Sequence, residues 1–169
     1  ELVEQKDYEK ALKAFELGAK TGDLNAMTAL GIMYITGVGV IQNDVKGFKY
    51  VQDAANKSHP KAQYTLGAIY YLGAGVTIDF NKAFNWIRLS ADQGYLDAQH
   101  NLALMYEAGE GVSQDFKKAY EYYLIAARSG NLDSQIKVAQ MYQEAIGTEK
   151  NLEKSAYWLK KIEESKLKN

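Results

Sequence analysis

The chain has 169 residues, of which 47% are hydrophobic and 24% charged, proportions typical of a folded globular protein. Its formal net charge of −1 disfavours a surface that follows nucleic-acid phosphates, which needs a clear basic excess, and no apolar run approaches the roughly 20 residues that span a bilayer. The absence of cysteine excludes disulfides and thiolate metal sites and leaves the redox compartment open.

A tyrosine recurs along the chain at a fixed interval of 36 residues, as Tyr34, Tyr70, Tyr106 and Tyr142. The same interval links a glycine or alanine three positions before each tyrosine, a glycine five positions after it and a lysine twelve positions after it. So many positions in phase, without insertion, predict an internal repeat. The repeat units are predicted at residues 28–63, 64–99, 100–135 and 136–169.

The chain begins at Glu1 rather than Met, so we expect its start to have been processed or trimmed. Residues 1–27 continue the repeat backwards, since Lys10 lies 36 residues before Lys46. These residues are predicted to form the second helix of a partial first unit.

Each full unit is predicted to contain two helices, as the third unit illustrates. Over residues 98–108, Leu102 and Tyr106 lie one helical turn apart on an apolar stripe, and Ala103 beside them is small enough for another helix to approach. Two glycines then interrupt the helix, because glycine is disfavoured inside it. The second helix of this unit is predicted over residues 116–128.

Helix boundaries follow the same period. A side-chain oxygen that can accept from the free amides of a helix N-terminus comes directly before each second helix, at Asn43, Asp79, Asp115 and Asn151. A residue suited to the left-handed conformation that ends a helix follows, at Gly22, Ser58, Gly94 and Gly130. Helix pairs of this kind bury their apolar faces by stacking on one another. The sequence therefore predicts an all-α helical-repeat fold, with a single domain over residues 1–169.

The units share the pattern A-x-x-x-L-G-x-x-Y-x-x-G-x-G-V, followed by an acid, K-A, an aromatic residue and a glycine. In one unit these residues are Ala62, Leu66, Gly67, Tyr70, Gly73, Gly75, Val76, Asp79, Lys82, Ala83, Trp86 and Gly94. Over essentially the whole chain the pattern resembles the Sel1-like repeats (SLRs), relatives of the tetratricopeptide repeat with a longer loop, in their cysteine-free branch. The chain departs from it at Gly47, Ala145 and Glu163, where the pattern has alanine, glycine and alanine.

The resemblance implies a right-handed α-solenoid of antiparallel helix pairs that serves as an adaptor or binding scaffold and has no catalytic activity. Members of this family are associated with bacterial signalling, secretion and host contact, and with eukaryotic endoplasmic-reticulum degradation complexes. For this chain the resemblance favours a bacterial periplasmic or secreted location over a cytoplasmic one.

No residue pattern indicates catalysis. The two histidines, His59 and His100, lie 41 residues apart at non-equivalent repeat positions, whereas a two-histidine metal site favours a spacing of about four. The Gly-x-Gly runs follow helices rather than strands and recur from unit to unit, which indicates turns rather than phosphate-binding loops. We therefore expect no enzyme, no cofactor and no metal, and we expect the in-phase tyrosines to be core residues.

Partner binding is predicted on the concave side, which the first helices of related repeats line. Residues that vary between units at positions six before, two before and one after the in-phase tyrosine are the candidate contacts, because exposed apolar and aromatic side chains often mark interfaces. The alternative is that some of them pack against a neighbouring helix. The candidates are Ile32, Ile35, Tyr64, Tyr71, His100, Leu104, Glu107, Gln140 and Gln143.

Negative charge accumulates toward the C-terminal part of this side, at Asp97, Glu107, Asp133 and Glu144, so we expect a partner segment with apolar anchors and a basic flank. The main hypothesis is a monomeric scaffold or adaptor that binds another protein or peptide in the concave groove, in bacterial signalling, secretion or host interaction. The alternative hypothesis is an immunity protein that neutralises a secreted bacterial toxin. We expect no nucleic-acid partner and no membrane insertion.

Overall fold

A computed structural model of the chain describes residues 2–166, with the side chains of residues 7–165. Nine α-helices and no strand occupy this range, which confirms the predicted all-α repeat fold and its period of about 36 residues. Glu1 and residues 167–169, which belong to the outermost predicted units, lie outside the described residues. The helices are α1 (Leu2–Lys20), α2 (Leu24–Thr36), α3 (Asp44–Asn56), α4 (Pro60–Leu72), α5 (Phe80–Asp92), α6 (Leu96–Ala108), α7 (Phe116–Arg128), α8 (Leu132–Glu144) and α9 (Leu152–Lys166).

The helices assemble into two compact units, Glu1–Gln93 and Gly94–Asn169. In the first, α1 packs on α2, α2 on α3, α3 on α4 and α4 on α5, and α2 also contacts α4. In the second, α6 packs on α7, α7 on α8 and α8 on α9. The helix pairs begin four residues before the predicted repeat boundaries, at Leu24, Pro60, Leu96 and Leu132. The prediction of one domain over residues 1–169 stays a prediction.

α1 packs as the second helix of a pair does. A Cβ atom on Gly39 would meet the side chain of Tyr8 in α1. The equivalent Cβ on Gly75 would meet Asp44 of α3, which lies 36 residues after Tyr8. The turn after each of these two first helices therefore contacts the start of the preceding second helix in the same way.

Each turn within a pair is held at both ends by the residue that begins the second helix. In the first pair, the Asn43 side chain accepts from the Lys46 amide at 2.9 Å, and the Asn43 amide donates to the Tyr34 carbonyl at 2.8 Å. The side-chain bond satisfies an amide that the helix leaves free. The same two bonds recur at the other predicted caps, Asp79, Asp115 and Asn151.

The in-phase tyrosines pack beneath the in-phase lysines. The Lys46 ammonium lies 4.0 Å from the centroid of the Tyr34 ring, and each later lysine lies 5.2 to 5.4 Å from its own tyrosine. Such contacts are favourable because the ring face carries partial negative charge. The predicted core location is confirmed for Tyr106 and Tyr142, whereas Tyr34 and Tyr70 are half-buried.

The two helices of a pair come closest at the in-phase small residue. A Cβ on Gly67 would lie 2.5 Å from Cγ1 of Ile87 and 3.1 Å from the Ala83 carbonyl oxygen. Gly31 is equally crowded, since a Cβ there would lie 2.5 Å from Cγ2 of Val51. Glycine at these positions lets α2 pack on α3 and α4 on α5 at backbone distance.

The second helices end as predicted, at a left-handed residue. Gly22, Gly94 and Gly130 have φ angles of 86°, 84° and 100°, and Ser58 adopts φ 61° at the equivalent place. A Cβ on any of the three glycines would meet nothing within 4 Å. Glycine is therefore favoured here only because of the left-handed backbone conformation, which Ser58 adopts with strain.

We expect Ser58→Gly to raise the free energy of unfolding by about 0.5–1 kcal/mol. Relief of the left-handed strain contributes about 1–2 kcal/mol, and the greater freedom of glycine in the unfolded chain offsets about 0.4–1 kcal/mol of it. The reciprocal change, Gly130→Ser, is expected to lower stability. Urea unfolding of the two variants measures both effects, and a destabilising Ser58→Gly would contradict this account.

His59 caps the N-terminus of α4. Its Nδ1 accepts from the Ala62 amide at 3.3 Å, so this nitrogen carries no proton, and Nε2 lies 3.1 Å from Asn25 Oδ1. Nδ1 also lies 3.2 Å from the hydroxyl of Thr28 in α2. Burial, and then the charge of Lys61, lowers the pKa of His59. His59 is therefore a structural residue.

Because its pKa is lower in the folded state, neutral His59 stabilises the fold fully above about pH 6.5, the unfolded pKa. That stability is lost as the pH falls through the lowered folded pKa, where a protonated Nδ1 stops accepting. We expect wild type to lose more stability between pH 7.5 and 5.5 than His59→Asn, which keeps a capping oxygen. Urea unfolding at both pH values measures this, and equal losses would contradict it. His59→Ala is expected to cost about 1 kcal/mol at pH 7.5.

Candidate binding groove

The first helices of successive pairs, α2 and α4 in the first unit and α6 and α8 in the second, carry the predicted contact residues. In the first unit, Ile32 and Tyr64 are half-buried. Ile35 packs on α3, since a Cβ on Gly47 would lie 2.6 Å from its Cγ1. The Tyr71 ring packs edge-to-face on Phe80, with the ring centroids 5.2 Å apart. Ile35 and Tyr71 thus also serve packing within their own pair.

The second unit has a depression between α6 and α8, with a cavity volume of about 300 Å³. Its apolar lining consists of Leu104 and Ile136, each 37% exposed. We call it the unit 2 groove and define it by His100, Leu104, Asp133, Ile136, Lys137 and Gln140. Three of the predicted residues are brought together here, His100, Leu104 and Gln140. Gln143 is exposed on α8 and does not line the groove.

Glu107 lies behind the groove in a network that joins three helices. Its carboxylate accepts from the hydroxyl of Tyr123 in α7 at 2.5 Å. It also accepts from the ammonium of Lys137 in α8, at 2.9 and 3.0 Å to the two carboxylate oxygens. Tyr123 is fully buried, and its ring also packs against His100 at a centroid distance of 5.7 Å. The predicted contact residue Glu107 therefore connects α6 to α7 and α8 and fixes the position of Lys137.

The network shifts the pKa values of Glu107 and Tyr123. Burial alone would raise the pKa of Glu107, but the hydrogen bonds from Tyr123 and Lys137 outweigh it and lower that pKa. Burial, and then the hydrogen bond to Glu107, raises the pKa of Tyr123. At neutral pH, Glu107 is therefore a carboxylate that accepts from a neutral phenol and an ammonium ion.

His100 forms part of the groove wall. Its Nδ1 shares a hydrogen bond of 2.8 Å with the hydroxyl of Ser134, which is fully buried in α8. Burial, the largest cause, lowers the pKa of His100, and the nearby carboxylate of Asp133 opposes this only in part. The imidazole is therefore mostly neutral at pH 7.

The predicted contact residues did not include Ile136 and Lys137, and Asp133 was predicted only as part of the negative charge on this side. Ile136 was detectable, since it lies 36 residues after His100 in the repeat. Lys137 replaces the uncharged Ala29, Thr65 and Asn101 of the other units, a change of residue type that marks it. The pairing of Lys137 with Glu107 depends on the packing of α6 against α8, which no spacing within one unit reveals.

Tyr123→Phe is expected to lower the free energy of unfolding by about 1.5–3 kcal/mol at pH 7, since it removes a hydrogen bond to a charged acceptor. The stability that the lowered pKa of Glu107 confers is present above its unfolded pKa, about 4.5, and is lost as the pH falls through the folded pKa. The difference in the free energy of unfolding between wild type and Tyr123→Phe should therefore become smaller below about pH 4.5.

Tyr120→Phe is the matched control, because the Tyr120 hydroxyl bonds to the uncharged hydroxyl of Tyr142. The loss in free energy of unfolding that Tyr120→Phe causes should not change across that pH range, as measured by urea unfolding. Parallel pH profiles of the two variants would rule out the role given to Glu107.

Two further observations bear on function. Among the described residues, no group of three or more histidine, cysteine, aspartate or glutamate side chains is arranged to hold a metal ion. No helix in the same part of the chain is long and apolar enough to cross a membrane.

The chain is similar to solved structures of bacterial proteins. It is 36% identical, with a TM-score of 0.84, to c5321, a protective antigen of uropathogenic Escherichia coli with an SLR fold, over 89% of this chain and 32% of that one. It is 28% identical, with a TM-score of 0.79, to a Sel1 repeat protein of Oxalobacter formigenes, over 91% of this chain and 61% of that one. The chain thus spans about a third of the first protein and less than two thirds of the second.

Helicobacter pylori cysteine-rich protein B shares the fold at 24% identity and a TM-score of 0.61, over 77% of this chain and 93% of that one. None of the curated proteins matches the chain. The model of the Sel1 repeat family matches four successive segments, residues 24–59, 60–95, 96–131 and 132–164. The Sel1 repeat is a scaffold fold that mediates protein–protein binding rather than catalysis. These segments cover most of the chain, and the chain belongs to the Sel1 repeat family.

Proposed function

We propose that the chain is a scaffold that binds a segment of another protein on the first-helix faces, with the unit 2 groove as the principal site. The observation that carries the proposal is the pair of half-exposed aliphatic side chains, Leu104 and Ile136, on either side of a cavity of about 300 Å³. Covering them would remove apolar surface from water, the main driving force of association. A cavity of this size lies at the lower end of the range seen in ligand sites.

The groove is built from positions that differ between repeats. Leu104 replaces the Ile32 and Ala68 of the earlier units, and His100 replaces Thr28 and Tyr64. Residues that maintain the helix pairs recur every 36 residues, whereas these groove residues do not. Variation on the first-helix face of a fold with a periodic core supports a binding role for that face.

Recognition would proceed through side chains. The backbone amides and carbonyls of α6 and α8 are engaged in their helices, and no strand edge among the described residues offers hydrogen bonds for an added strand. The partner would therefore dock an apolar side chain into the groove, as peptides do in helical grooves. Ile32 and Tyr64 give the first unit a separate apolar face of the same kind.

A role in bacterial signalling, secretion or host interaction is part of the proposal. Similarity to a protective antigen of uropathogenic Escherichia coli supports the host-interaction branch. We also propose that the protein is periplasmic or secreted and that it is a monomer.

Photo-cross-linking in extracts of the source organism tests the proposal. A benzophenone amino acid at Gln140, an exposed groove position, should cross-link a partner, whereas the same group at Glu121 on α7 should not. Leu104→Ser with Ile136→Ser should reduce the cross-link at least tenfold. Equal cross-linking from both positions, or no effect of the double variant, would refute the groove as the site.

Ile125→Ser provides the matched control for the double variant. Ile125 is 44% exposed on α7 and does not line the groove, so its loss removes comparable apolar surface elsewhere. It should leave the cross-link unchanged. Circular dichroism and thermal unfolding of all variants should stay near wild type, because the replaced side chains are partly solvated already.

A further inference from the structure

We propose that the unit 2 groove binds a segment in which a lysine or arginine lies within about two residues of the apolar anchor, with its cation paired to Asp133. This inference rests on the proposed function and names the chemistry of its partner. It follows from the order of groups along the groove and from the charges that remain after the internal ion pair has formed.

The groove has a direction along α8. Asp133 lies in the first turn of that helix, Ile136 one turn further on, and Gln140 one turn beyond Ile136. At a rise of about 1.5 Å per residue, Asp133 and Ile136 are separated by roughly 4.5 Å along the axis. An extended segment advances about 3.3 Å per residue, so a side chain over Asp133 comes one or two residues away from a side chain over Ile136.

The only cation that lines the groove is already paired. Lys137 contacts both carboxylate oxygens of Glu107, at 2.9 and 3.0 Å. His100 is mostly neutral at pH 7, as argued above. Asp133 and Asp97 are exposed, and neither belongs to an ion pair found among the described residues. The net charge available to a partner is therefore negative, at the end of the groove where α6 and α8 begin.

An anionic partner is disfavoured at the same place. It would have to compete with Glu107 for Lys137 and would lie close to Asp133 and Asp97. The N-terminus of α8 does not attract it either, because Asn131 accepts from the Ser134 amide at 2.8 Å and Asp133 already complements the helix dipole. Charge complementarity thus selects a cation.

Selection from a random library of 12-residue peptides displayed on phage, with the 169-residue chain as bait, tests the inference. Groove-specific peptides are those that lose binding to the Leu104→Ser, Ile136→Ser variant. We expect them to be enriched in lysine or arginine within two residues of an apolar residue. In fluorescence anisotropy, a synthetic peptide of this class should bind Asp133→Asn about five- to tenfold more weakly at low salt, and replacing its cation with glutamine should cause a similar loss.

Glu153→Gln is the matched control, since Glu153 is an exposed acid in the first turn of α9 and does not line the groove. It should leave peptide affinity unchanged. Groove-specific peptides without basic enrichment, or an unaltered affinity for Asp133→Asn, would overturn the inference and leave the proposed function standing. A selection that yields no groove-specific peptide at all would count against the proposed function as well as this inference.

Discussion

The first three repeats all depend on the close approach of the two helices in each pair. The residues that allow this approach differ between the repeats. At Gly31 and Gly67 the neighbouring side chain lies only 2.5 Å from where a Cβ would be, so the backbone of the first helix packs directly on the second helix. In the third pair Ala103 occupies this position and Tyr123 replaces the aliphatic residue opposite. The pair still forms, because both residues are buried and the longer side chain carries its hydroxyl out of the core to Glu107. A change at the tightest contact thus brings a hydrogen-bond donor to Glu107, behind the groove.

The repeat turns hold this geometry through the residue that caps each second helix. The cap residue that begins each second helix binds both its own helix and the carbonyl of the in-phase tyrosine, as Asn43 does with Lys46 and Tyr34. These bonds use groups that would otherwise be unsatisfied at a helix end. The in-phase lysine then lies over the tyrosine ring. Because the periodic residues are engaged with one another, we propose partner contacts at the non-periodic residues on the first helices.

Most of the fold could be predicted from the sequence because it depends on interactions between residues close together in the chain. Caps such as Asp115, stops such as Gly130 and the small residue before each tyrosine act within one pair, and their spacing predicts the helices that the structure contains. The groove was predicted less completely, since it depends on contacts between pairs. His100 and Leu104 were found as variable positions, but their neighbours across the groove come from a helix more than thirty residues away, and the salt bridge from Glu107 to Lys137 is one such contact.

That salt bridge between Glu107 and Lys137 sets the local charge on which the proposed partner chemistry depends. Earlier repeats have Ile35 or Tyr71 where Glu107 lies, and stability alone would favour such residues, since a half-buried ion pair gains little after desolvation. Its stronger effect is electrostatic and geometric. It anchors the Lys137 ammonium against α6 and cancels its charge, with the result that Asp133 dominates the field at the end of the groove. Without Glu107, the Lys137 ammonium would be unpaired beside Asp133 and Asp97, and the negative field at this end of the groove would be weaker. A single carboxylate behind the groove therefore strengthens the preference for a cation that we propose for it.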